Sequence, residues 1–120
     1  MNTHEILRER LLVAAKINPP PNALQVYESL RRSEWSTEFE NRMRNRLIMG
    51  AIRYGKLGWW RKPKYDRVAS IIKRLELYRQ TGNREYLVDC ANLALVEYVE
   101  GNHPKKHFKS ADDDGVHVTT

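Results

Sequence analysis

Glu85, Asp89 and Asn92 recur at i, i+4 and i+7, a spacing that sets three oxygen-bearing side chains along one face of a helix. The segment that carries them, from Glu85 to Val96, is otherwise apolar nearly all round, so this helix should be central and largely buried. A carboxylate buried there needs a partner, because an unpaired buried charge is costly. A cation from the preceding helix, Arg74 or Lys73, would make an internal salt bridge. A Mg²⁺ ion would serve as well, since it favours oxygen ligands and is commonly held by one or two carboxylates together with substrate phosphates. Glu85 also reads as a first-turn charge that complements the helix dipole.

A second candidate is the stretch Arg53-Tyr54-Gly55-Lys56-Leu57-Gly58-Trp59-Trp60-Arg61-Lys62-Pro63-Lys64-Tyr65, which interleaves bases with aromatics and glycines. Glycines let backbone N–H groups approach an anion, and aromatic faces give a nucleobase something to stack on. Lys56 and Arg61, with Arg74 from the following helix, suit phosphates, while Trp59 or Trp60 suits the base. The other reading of the tryptophans is that one of them packs on the core. No Gly-x-x-x-x-Gly-Lys-Ser/Thr is present, so the loop is not a P-loop.

Charge supports an anionic partner. The chain has a net charge of +6, yet residues 41–67 hold nine bases and one acid, a local net of +8 that leaves −2 for the rest. Phosphate, nucleotide or nucleic acid would fit such a concentration. A solvated helix face followed by a basic loop would produce the same count. On the third helix, Glu38 with Arg42 and Glu40 with Arg44 have the favourable order for i, i+4 ion pairs. Glu38 is also a candidate metal ligand beside Asp89 and Glu85. His103 and His107 flank Pro104 and lack an obvious third ligand, and Asp112-Asp113-Asp114-Gly115 lacks the alternation of a calcium loop. Cys90, the only cysteine, excludes an internal disulfide and reads as core.

The elements that must position these residues are helices. Asn2 and Glu5 have capping-box spacing ahead of Ile6, Leu7, Leu11, Ala14 and Ala15, and Pro19-Pro20-Pro21 ends that helix. Asn22 can cap a short second helix striped by Ala23, Val26, Tyr27 and Leu30. A third opens at Ser36 to Glu40, with Thr37 and Glu40 as a capping box, and carries Phe39, Met43, Leu47, Ala51 and Tyr54; Gly50 should admit a close neighbour. Tyr65 or Asp66 starts a fourth, with Val68, Ile71, Ile72, Leu75 and Tyr78 on one face. Gly82 stops it and Asn83 caps the fifth, which runs from about Arg84 to Glu100.

The expectation is an all-α fold: a single compact bundle of about five helices over 1–101, then an extended or mobile tail over 102–120. A chain of 120 residues has room for one domain. Its longest wholly apolar run, Leu11 to Ala15, is far short of the roughly 20 residues that cross a bilayer. With no signal-peptide pattern visible, the chain reads as cytoplasmic, with no membrane partner.

Three blocks, Arg53-Tyr54-Gly55, Ile71 to Leu75 and Glu85 to Asn92, together with a tail running from Gly101 to Asp113, resemble small phage and prophage proteins in the orbit of the all-α, MazG-like nucleoside triphosphate pyrophosphohydrolases. The broad likeness covers residues 37–101. In those enzymes Glu-x-x-Glu on one helix and Glu-x-x-Asp on another hold Mg²⁺ against a triphosphate while water attacks to release pyrophosphate. The resemblance places Asp89 on the second motif and Asn92 on an asparagine common three residues later in phage versions. Glu85 stands four residues before Asp89 rather than three, and Glu34, Glu38 and Glu40 do not form the first motif. The resemblance implies a nucleotide ligand, Asp89 and Glu85 as catalytic residues, a bacterial host cytoplasm and self-association as a homodimer. The competing reading is a basic module without chemistry, acting on nucleic acid, a nucleotide signal or a host defence protein.

Overall fold

The computed structural model describes residues 3–17 and 23–110, and the described chain is all-α. Among the described residues are five helices, α1 (Thr3–Ile17), α2 (Ala23–Ser33), α3 (Thr37–Tyr54), α4 (Arg67–Thr81) and α5 (Glu85–Glu100). The described residues group into two compact units: one holds α1, α2 and residues 105–110, and the other spans residues 36–104. No helix among the described residues is long and apolar enough to cross a membrane.

In the first unit α1 packs against α2. Ile6, Leu11, Val26 and Tyr27 are half-buried, whereas Leu7 and Leu30 from the same expected stripes are exposed. The Thr3 and Ser110 hydroxyls hydrogen-bond to each other, which ties the chain after Lys105 to the start of α1. The caps expected at Asn2 and Asn22, the three prolines and the last ten residues of the tail lie outside the described residues. Residues 106–110 form neither helix nor strand.

In the second unit α5 packs against both α4 and α3, and Val88, Cys90 and Leu93 supply its buried apolar side chains. The Cys90 thiol donates to the Ile71 carbonyl at 3.6 Å. Burial pushes its pKa up and Asp89 adds to the rise, while Arg74 opposes it. A thiol held protonated in this way is a poor nucleophile, in keeping with a packing role.

The helix ends follow local chemistry, with two shifts of register. Ser36, not Thr37, caps α3: its hydroxyl accepts from the Phe39 N–H at 3.1 Å. Glu40 therefore falls outside the box position and pairs with Arg44 at 3.0 Å instead, as Glu38 pairs with Arg42 at 3.2 Å. Asp66 caps α4 by accepting from the Ala69 N–H at 2.9 Å. Gly82 closes that helix in the left-handed conformation, φ 71°, where a side chain would be strained. Asn83 Oδ1 then accepts from the Glu85 N–H at 3.1 Å, one residue ahead of its expected place: Arg84 holds the cap position of α5 and makes no side-chain capping bond.

Two expectations about helix faces are corrected. A Cβ built on Gly50 would meet nothing within 4 Å, so no neighbour packs close against it; the residue borders open space. On α4 the buried side is rotated away from the predicted stripe. Val68, Ile72 and Leu75 are exposed, while Arg67, Ser70, Ile71, Arg74, Leu77 and Tyr78 are half-buried. The cause lies across the interface, where three carboxylates of α5 draw Arg67 and Arg74 inward.

Candidate functional site

The second unit contains a cleft of about 630 Å³, within the range of small-ligand sites. The C-terminal half of α3, the loop that follows it, the first two turns of α4 and the middle of α5 form its walls. Five cations border it, Arg46, Arg53, Lys62, Arg67 and Arg74, against one carboxylate, Asp89. Tyr54 and Tyr65 add aromatic surface.

On the α5 side, Asp89 lies between two arginines. Arg46 Nε is 3.6 Å from Asp89 Oδ1 and 3.3 Å from Glu85 Oε1, and Arg74 Nε is 3.8 Å from Asp89 Oδ2. Arg74 thus meets the expectation of a cation from α4, while Lys73 is exposed and forms no ion pair among the described residues. Arg46, which spacing alone had not singled out, joins both carboxylates from α3. One turn further along α5, Asn92 is 8% exposed. Its Nδ2 donates to the Met43 carbonyl at 3.0 Å, and its Oδ1 is buried without a hydrogen-bond partner.

At the far end of α5 a second acidic pair organises the loop. Glu100 Oε1 accepts from the Gly58 N–H at 2.6 Å and from Lys62 Nζ at 3.0 Å, and Arg67 reaches Glu97 at 3.2 Å and Glu100 at 3.9 Å. Burial raises the Glu100 pKa, but the Gly58 hydrogen bond and the Lys62 and Arg67 charges outweigh it and leave it below the ordinary glutamate value. Gly58 sits at φ 84° and Gly55 at φ 107°, both in the region that favours glycine. At Gly55 the indole of Trp59 occupies the space a Cβ would need.

The candidates therefore separate. Asp89, Arg74 and Asn92 border the cleft, and Glu85 is joined to it through Arg46. Lys56, Trp59, Trp60 and Arg61 do not border it. Trp59 packs on Gly55, while Trp60 is 77% exposed with the Arg61 guanidinium 4.6 Å from its ring centroid. Glu97 and Glu100 went unnoticed, although Glu97-Tyr98-Val99-Glu100 has the Glu-x-x-Glu spacing sought on α3. Their i, i+3 spacing on a helix facing a basic loop was the available signal.

The magnesium site implied by the resemblance does not fit this donor set. Among the described residues no three Asp, Glu, His or Cys side chains converge into a preformed metal site. Glu85 and Asp89 share Arg46, and Glu38 is held by Arg42 eight residues before Arg46, about 12 Å along the helix. The chemistry available in the cleft is that of guanidinium groups and a buried amide: binding an anion and accepting one hydrogen bond. No protein-family model, curated protein or solved structure matches the chain.

Proposed function

We propose that the cleft of the second unit binds a nucleoside phosphate, with Arg53, Arg46 and Arg74 on the phosphates and Asn92 on a donor of the base or sugar. The observation that carries this reading is Arg53, which borders the cleft and makes no ion pair among the described residues, beside Arg46 and Arg74, which share the partly exposed carboxylates of Asp89 and Glu85. Guanidinium groups suit phosphate because they present several donors in a planar fork. The proposal is one of binding; no hydrolytic step is derived from these residues.

A thermal-shift series with nucleoside mono-, di- and triphosphates, with and without Mg²⁺, tests it. A ligand at 100 times its Kd adds about 2.7 kcal/mol, which moves the midpoint by several degrees in a chain of this size. No shift with any nucleotide overturns the reading. Asp89→Asn separates the arginine clamp from a metal site. Removing the carboxylate frees Arg74 and leaves Arg46 with Glu85 alone, so nucleotide binding in the absence of metal should tighten about two- to five-fold, the scale of a partly exposed ion pair. Loss of binding in that variant, together with Mg²⁺-dependent pyrophosphate release by the parent, would instead restore the pyrophosphohydrolase implied by the resemblance.

A homodimer belongs to the same reading. Ile48, Ile52, Val68 and Ile72 are exposed on α3 and α4, Ile52 at 81%, and α3 and α4 have no buried residue. A second copy of the chain would cover such side chains, symmetric homodimers being the commonest assembly of soluble chains. Sedimentation velocity at tens of micromolar should show a dimer that Ile52→Glu with Ile72→Glu converts to monomer. A monomeric parent would end this part of the proposal.

A further inference from the structure

We infer that the loop between α3 and α4 is a second, separate site: a stacking platform for a single strand of nucleic acid, with Trp60 as the stacking face and Lys56, Arg61 and Lys64 on the phosphates. The structure divides the loop's side chains into two sets. Lys62 and Arg67 turn inward, 16% and 12% exposed, and are neutralised by Glu100 and Glu97. Trp59 lies with its ring against Gly55 and is still 42% exposed, against 77% for Trp60. Lys56, Trp60, Arg61 and Lys64 are left exposed, and none of the three cations forms an ion pair among the described residues.

The inward set holds the outward set in place. Gly58 is bonded to Glu100, and the loop carries its own turns, Trp59 N–H to the Lys56 carbonyl at 3.0 Å and Lys62 N–H to the Trp59 carbonyl at 3.2 Å. A braced loop loses little conformational freedom when a partner binds. An indole exposed at 77% with a guanidinium already over its ring offers a base both a flat face and a neighbouring positive charge. No acid interrupts Arg53 to Tyr65, so the outward charge has one sign. Charge alone would suit any polyanion. The exposed tryptophan favours a strand whose bases are free to stack over a duplex or an acidic protein. This site lies outside the cleft and stands whether or not the cleft binds nucleotide.

The test is fluorescence anisotropy of the full chain with a labelled 20-nucleotide oligothymidine at 50–200 mM salt without Mg²⁺. Affinity should fall with salt at a log–log slope of about −2, as expected for three phosphate contacts on a single strand. Trp60→Ala should weaken binding about 5- to 150-fold, the range for loss of one stacked base, and Trp60→Phe should retain most of it. Lys56→Glu with Lys64→Glu should weaken binding and flatten the salt slope. These positions are exposed, so circular dichroism should show unchanged helix content in every variant. No binding at 50 mM salt overturns the inference. Equal affinity for Trp60→Ala overturns it too, as does equal affinity for a duplex or for polyglutamate.

Discussion

Replacing Glu100 with alanine should lower the unfolding free energy by about 2–3 kcal/mol at pH 7, a sizeable share of the roughly 5–15 kcal/mol that holds a domain folded. The carboxylate is 14% exposed, and it is the acceptor for the Gly58 N–H and for Lys62 Nζ. Without it an ammonium that is 16% exposed has no counter-charge, and a loop N–H loses its acceptor. Arg67 keeps Glu97, so the damage centres on Lys62 and the loop. Glu100→Gln should cost about half as much, since the amide oxygen can still accept from Gly58 but carries no charge. Urea unfolding of both variants measures this. A loss below about 1 kcal/mol for alanine would show that the loop is held by something other than this carboxylate.

The same contact sets an acid limit on stability. The Glu100 pKa is lower in the folded chain than in the unfolded one, so below the ordinary value the unfolded state binds more protons. The stabilisation is complete above the unfolded pKa of about 4.3 and is lost as pH falls through the folded one. Between about pH 5 and 3 the parent should lose stability more steeply than Glu100→Gln. Parallel profiles would mean that another carboxylate governs the acid limb.

The helices and most of their ends were legible because local chemistry decides them. Asp66, Gly82 and Asn83 act within a few residues of themselves, where spacing carries the information. The cap at Ser36 was misplaced by one residue because Ser36 and Thr37 both have a hydroxyl to offer. The buried side of α4 was misread for a different reason. An apolar stripe is a good guide only when the facing helix is apolar, and α5 presents Asp89, Glu97 and Glu100 to Arg74 and Arg67. In the candidate site, the stripe of Glu85, Asp89 and Asn92 was readable from helical period. The part played by Arg46 was not, because its partners lie 39 and 43 residues away. Trp59 and Trp60 are chemically alike and adjacent, so only the fold could place one against Gly55 and leave the other the more exposed of the two.

Asn92 is the residue at which stability and ligand binding should come apart. With Nδ2 on the Met43 carbonyl, the amide cannot be turned over without opposing two oxygens, so Oδ1 is an acceptor committed to a partner it lacks. A buried acceptor left in that state costs about 1–3 kcal/mol. Leucine has the same branched heavy-atom outline and no such requirement, its extra bulk can extend into the cleft that Asn92 borders, and the Met43 carbonyl lies inside α3, where helical bonding serves it. Asn92→Leu should therefore leave stability within about 1 kcal/mol of the parent, or raise it, while nucleotide affinity falls about ten-fold as the ligand's donor loses its acceptor. Asn92→Asp should do the reverse to the fold, because it buries a carboxylate three residues from Asp89 with no donor bonded to it. The expected loss is about 3 kcal/mol or more at pH 7. A raised folded pKa makes that loss appear as pH climbs above the unfolded value of about 3.9 and disappear below it. Chemical denaturation across pH, set beside nucleotide titration of the leucine variant, distinguishes the two roles. If Asn92→Leu loses more than about 2 kcal/mol and binds nucleotide as the parent does, the amide is a structural brace between α3 and α5, and the cleft reads its ligand elsewhere.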